Sequence, residues 1–192
     1  DLTSLMVGSE GTLGVITKIV FKLISLPSKD ISLLVPFKSA EKACEAVSAI
    51  FMNGITPSAL EFIERDAINW TIKYTDIKMD INDDVQAHLL IEVDGNEIDQ
   101  IFKECEKISE VLYEFDCGEI LIAESKEQKE RLWKMRRLVG EAVKSNSIYK
   151  EEDTVVPRAE LPKLLIGVKE IGKKYGFKSV CYGHAGDGNL HV

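Results

Sequence analysis

His88-Leu89-Leu90-Ile91-Glu92-Val93-Asp94-Gly95 is the stretch that decides the fold. Its apolar run is too short for an ordinary helix and closes on Asp94-Gly95-Asn96, so it predicts a buried strand ending in a turn. The same punctuation recurs in both directions. Upstream lie the apolar run 31–37, an amphipathic helix from about Ser39 to Met52, the run 58–64, and a helix near Asp66 to Tyr74. Downstream come a helix from about Ile98 to Tyr113, a strand over 118–124, a long helix from about Lys126 to Lys144, and a last one from about Pro157 to Tyr175. Asn53-Gly54 supplies a helix C-terminal cap. Strands alternating with helices in this way predict an α/β or α+β sheet with helices packed over one face.

Before this rhythm begins, residues 1 to 24 read as a glycine-rich turn followed by a strand over 14–24, rich in Ile, Val and Phe. The polar breaker 26–30 marks a boundary, giving a short unit over residues 1–27 and a main domain over 28–192. The chain opens without Met inside one structured motif and closes at Val192 inside another, which is the expectation for a piece of a longer protein.

A formal net charge of -8 argues against a nucleic-acid or anionic-membrane surface, since both need clustered Lys and Arg. With no run of about 20 apolar residues and no signal-peptide pattern, the expectation is a cytoplasmic protein. Cys44, Cys105, Cys117 and Cys181 form no CxxC pair and read as reduced, buried thiols.

Three segments could carry chemistry. In Gly8-Ser9-Glu10-Gly11-Thr12-Leu13-Gly14, the glycines let backbone N–H groups approach a phosphate, with the Ser9 and Thr12 hydroxyls as further donors. The bland alternative is a tight loop leading into a strand. In Gly183-His184-Ala185-Gly186-Asp187-Gly188-Asn189-Leu190-His191, two of the chain's 3 histidines flank a Gly-rich turn, a pattern that can bring two imidazoles onto one cation. Two ligands leave a catalytic metal site incomplete, so a third is expected from elsewhere. The third segment is the helix around Trp133, whose stripe Leu132, Met135, Val139 and Val143 points to the core. Arg136 or Arg137 then stands at its edge, either clamping a carboxylate or solvated with ion pairs to Glu130 or Glu141.

Taken together, residues 1–17 resemble the end of the flavin-binding domain in vanillyl-alcohol-oxidase-type flavoproteins. Residues 181–192, with the linking stretch 151–161, resemble the C-terminal domain of the FAD-linked oxidases that include the glycolate oxidase D-subunit, D-lactate dehydrogenase and D-2-hydroxyglutarate dehydrogenase. The resemblance implies an α+β fold, a ferredoxin-like antiparallel sheet capping a flavin, preceded by the edge of an FAD-binding domain. It implies FAD contacts from Gly8, Ser9, Glu10, Gly11, Thr12, Gly14 and Ile16, and a divalent metal (Zn, Mn or Fe) on His184 and His191. Arg136 is expected to pair with the substrate carboxylate, and Asn189 to touch substrate or flavin.

The implied reaction passes a hydride from the Cα of a small 2-hydroxy acid to FAD. The electrons would leave to an electron-transfer flavoprotein, a quinone-linked subunit or an iron–sulfur subunit, and a homodimer is compatible with the family. The 2-hydroxyglutarate branch has Thr where this chain has Gly140, and its Lys stands one residue out of register with Lys150, which favours lactate or glycolate. The family's downstream Glu-His pair, the source of the third ligand and the general base, has no counterpart before Val192. Two competing readings are a metal-dependent hydrolase built on His184, Asp187 and His191, and an isolated cap domain that is inactive by itself.

Overall fold

The structure, a computed structural model, describes residues 1–77, 79, 81–146 and 148–192. A short helix α1 (Leu2–Met6) is followed by an irregular arm, then β1 (Lys29–Phe37), α2 (Ala40–Met52), β2 (Ala59–Glu64), α3 (Arg65–Tyr74), β3 (Ala87–Gly95) and α4 (Ile98–Tyr113). The chain continues through β4 (Leu121–Ala123), α5 (Lys126–Asn146), β5 (Asp153–Val155), α6 (Leu161–Tyr175), β6 (Tyr182–Gly183) and β7 (Asn189–His191). The seven strands form one antiparallel sheet in the order β4-β1-β3-β2-β6-β7-β5. Its first four positions, β4-β1-β3-β2, are the ferredoxin-like arrangement expected above, with α3 inserted between β2 and β3.

Alternation along the strands sorts the core into two layers. Ile31, Leu33, Val35 and Phe37 of β1, with Leu89, Ile91 and Val93 of β3, pack against Val47 and Ile50 of α2, Ile101 and Ile108 of α4 and Leu165 of α6. This is the expected helical layer. Local signals fix its ends: the Ser39 hydroxyl caps α2 by accepting from the Lys42 N–H at 3.2 Å, and Pro162 opens α6.

The opposite face is covered as well, by α3 and α5. Leu34 and Leu90 meet Leu132, while Ile63 meets Met135 and Val139, so the stripe expected on α5 does point to the core. Alongside that stripe α5 carries a polar one. Lys129 Nζ reaches Asp30 Oδ2 at 2.6 Å, Trp133 Nε1 donates to Glu92 Oε2 at 2.7 Å, and Arg136 Nε donates to Glu61 Oε2 at 2.7 Å. Positions 129, 133 and 136 fall on one helical face, so one surface of α5 meets carboxylates from three adjacent strands.

The arm differs from its expectation. No residue of 14–24 is in a strand, and Val15, Ile16, Val20, Phe21, Leu23 and Ile24 are exposed. A strand needs a partner for its backbone N–H and C=O groups, and among the described residues none lies beside this segment. The cysteines are free, and three of them are buried; Cys117 is half-buried.

Candidate substrate site

A carboxylate in the middle of a buried strand opens the site. Glu61 lies on β2 between Leu60 and Phe62 and is only 5% exposed, a position where an ionised group must be paired. It is paired twice. Oε2 accepts from Arg136 Nε at 2.7 Å, and Oε1 lies 2.8 Å from His184 Nδ1. An Nδ1–H that donates to Glu61 leaves the Nε2 lone pair of a half-exposed imidazole free to face a ligand.

The second wall comes from β6, β7 and the turn between them. Tyr182 stacks on His191 with ring centroids 5.3 Å apart, and the Arg136 guanidinium carbon sits 5.7 Å from the Tyr182 centroid. The Tyr182 hydroxyl donates to Glu151 Oε1 at 3.3 Å. Burial, reinforced by the Glu151 charge, pushes that phenol up to about 12, so it stays a donor across the physiological range. His184 and His191 meet edge to face at 6.2 Å. Asn189 Nδ2 donates to Asp153 Oδ1 at 2.6 Å and to the Thr154 carbonyl at 3.2 Å, which ties the turn to β5. Gly188 holds φ at 76°, and a Cβ there would lie 2.0 Å from the Val156 carbonyl oxygen, so only glycine permits this approach.

Of the residues singled out by sequence, Arg136, His184 and His191 therefore come together around Tyr182 and Glu61. Arg137 does not join them; it is exposed and pairs with Glu130. Asn189 is used within the turn. His191 Nδ1 lies 3.3 Å from Glu151 Oε1 but makes no hydrogen bond, and Arg136 Nη2 is likewise buried without an acceptor among the described residues. Imidazole and carboxylate donors of this kind suit a divalent cation, yet no three His, Cys, Asp or Glu side chains converge on one point among the described residues. The set His184, Asp187 and His191 does not converge either, and Asp187 is exposed.

The glycine-rich turn 8–14 lies on the exposed arm. Thr12 N–H and its hydroxyl both donate to the Ser9 carbonyl, which closes the turn. Gly8 and Gly11 adopt φ of 75° and 78°, with nothing within 4 Å of where a Cβ would stand, so no packing within the chain accounts for them. Gly14 has Met6 Cε 3.2 Å from its Cβ position. Ser9, Glu10 and Ile16 lie on the same arm.

Sequence reasoning missed Glu61, Tyr182 and Glu151. Glu61 carried a signal: a single charge inside the apolar run Leu60-Glu61-Phe62-Ile63. Tyr182 and Glu151 carried none, because their meeting depends on β5 folding back beside β7.

Comparison with known proteins agrees with this architecture. Residues 26–192 match the family described as FAD linked oxidases, C-terminal domain. A D-lactate dehydrogenase of Anaerostipes hadrus is 34% identical, the alignment covering 100% of this chain and 42% of that relative. The glycolate oxidase subunit GlcD of Bacillus subtilis (strain 168) is also 34% identical, over 100% of this chain and 40% of its own length. The chain thus spans about two fifths of the relatives it matches. Among solved structures, alkyldihydroxyacetonephosphate synthase superposes with a TM-score of 0.66 at 17% identity, over 100% of this chain and 40% of that one, a likeness of fold. The chain belongs to the C-terminal domain family of the FAD-linked oxidases.

Proposed function

We propose that this chain is the substrate-side domain of a flavin-dependent 2-hydroxy-acid dehydrogenase, with D-lactate or glycolate as its substrate. The observation that carries the reading is Glu61, a buried carboxylate held between Arg136 Nε and His184 Nδ1 within a domain of the FAD-linked oxidase family. Relatives named as D-lactate dehydrogenase and glycolate oxidase subunit support the substrate class.

A bound flavin would supply the hydride acceptor for the substrate carbon, and a divalent ion would supply Lewis-acid polarisation of the substrate hydroxyl. His184 and His191 would hold the ion, and the left-handed glycines of the turn 8–14 leave the open space that FAD phosphates would occupy. The chain's own residues do the positioning. Glu61 fixes the His184 tautomer and turns Nε2 outward. Arg136, its charge offset by Glu61, would give its buried, unpaired Nη2 to the substrate carboxylate after a local shift of the side chain. Tyr182 and the Asn189–Asp153 bond hold the His191 side of the site at fixed spacing. Electrons would leave to a separate acceptor, an electron-transfer flavoprotein or an iron–sulfur subunit. Residues 1–27 belong, on this reading, to the edge of the FAD-binding domain, and 28–192 to the cap.

The test uses the full-length protein. Its visible spectrum should carry a flavin band that D-lactate or glycolate bleaches without oxygen, and metal analysis should find a divalent ion. A protein with no flavin band, or one bleached by none of D-lactate, L-lactate, glycolate and D-2-hydroxyglutarate, overturns the reading.

A further inference from the structure

Arg158 is the one arginine of the site region whose charge is not spent on a carboxylate. Arg136 is paired with Glu61, Arg137 with Glu130 and Arg65 with Asp83. Arg158, by contrast, forms no ion pair among the described residues, and yet it is held. Its guanidinium carbon sits over the Phe51 ring, 3.9 Å from the centroid, and its Nε donates to the Gly186 carbonyl in the turn that carries His184. The ring contact and one hydrogen bond hold the exposed side chain at Cζ and Nε, and the two terminal nitrogens have no protein acceptor among the described residues.

Arg158 lines a cavity of about 290 Å³ together with His184, Glu61, Phe51, Ser58 and Asp187. The Glu61 charge is offset by Arg136 from outside the cavity and Asp187 adds a carboxylate to its lining, so Arg158 is the one lysine or arginine among the lining residues. A guanidinium held through Nε with both Nη groups free can bind a carboxylate bidentately.

We propose that Arg158 is a carboxylate-binding, specificity-determining residue of the substrate site, acting beside His184. This rests on the reading of the domain as the substrate side of a hydroxy-acid enzyme, and it adds a residue that sequence comparison of the motifs did not single out. The carboxylate has two sources, the acid group next to the reacting carbon or a second acid group at the far end of a longer substrate.

Calorimetric binding to the full-length protein tests it, with pyruvate, 2-oxoglutarate and the neutral pyruvamide as probes, so that the readout does not depend on flavin reduction. Arg158→Gln should weaken a carboxylate probe by about tenfold to a hundredfold and leave pyruvamide unchanged, a range expected for one bidentate charge-assisted pair. Arg158→Lys, which keeps the charge and loses the fork, should fall between. Loss of both acids assigns the fork to the carboxylate beside the reacting carbon; loss of 2-oxoglutarate alone assigns it to a distal one. Lys163→Gln, the same change of charge at an exposed position nearby, should alter none of them. Equal weakening of acid and amide, or no change in either, overturns the proposal. If no hydroxy acid bleaches a flavin while the acid-selective loss persists, the dehydrogenase reading fails and the carboxylate site stands.

Discussion

At the scale of single residues, the site depends on one buried charge with two partners. Glu61 and Arg136 expose only 7% and 11% of their side chains, so removing one charge strands the other in a poorly solvated place. Glu61→Gln should cost about 3 kcal/mol, read as a lower urea midpoint with unchanged slope. Rescue of wild-type stability by the same variant would show that the pair is dispensable. Gly188 makes a different kind of demand. Its left-handed backbone, and the Val156 carbonyl oxygen standing where a Cβ would go, leave no room for a methyl group. Gly188→Ala should lower stability by about 2 kcal/mol or more, and a thermal melt that stays within error of wild type contradicts this account of the turn.

At the scale of elements, β3 carries the clearest dependence on pH. His88 is buried between β1 and β2, and burial, with a smaller contribution from the Arg65 charge, holds its imidazole down at about 4. An unfolded histidine titrates near 6.5, so below that value the unfolded chain takes up a proton that the folded chain refuses. Stability should therefore fall as the pH drops from about 6.5 to about 4, by about 3 kcal/mol in all. His88→Leu should flatten the curve of stability against pH in that window; an unchanged slope would mean that other groups set it. Elements were also where sequence was most legible. Helix α4 falls at Ile98–Tyr113 as its periodicity predicts, and α2 begins after its Ser39 cap, because both signals are local. The polar stripe of α5 was not legible, since Lys129, Trp133 and Arg136 look solvated until Asp30, Glu92 and Glu61 are brought under them by strand pairing.

At the scale of the whole molecule, the chain divides into a packed sheet domain and an arm that contributes nothing to its core. The arm's β-branched and aromatic residues read as a strand, and they fail to form one because pairing is a property of the neighbour as much as of the sequence. Since no residue before Pro27 is buried, deleting residues 1–27 should leave the far-UV circular dichroism of the remaining domain unchanged and its Tm within about 2 °C. A large drop would place the arm inside the fold. The candidate site was partly legible at this scale: the motifs pointed to His184, His191 and Arg136, which the fold brings together, while the carboxylate and phenol beside them could not be named, because β2, β6 and β5 meet only through long-range topology.

The measurement that bears most directly on the central claim is the rate at which D-lactate or glycolate, whichever is the better reductant, bleaches the flavin of the full-length protein in the absence of oxygen, compared between wild type and His184→Ala. With flavin content verified equal in both, that rate should fall at least a hundredfold if the proposed function holds, because the substrate would lose the imidazole that Glu61 holds through Nδ1. Equal rates in the two proteins would contradict it and move the substrate site away from Glu61, Arg136 and His184.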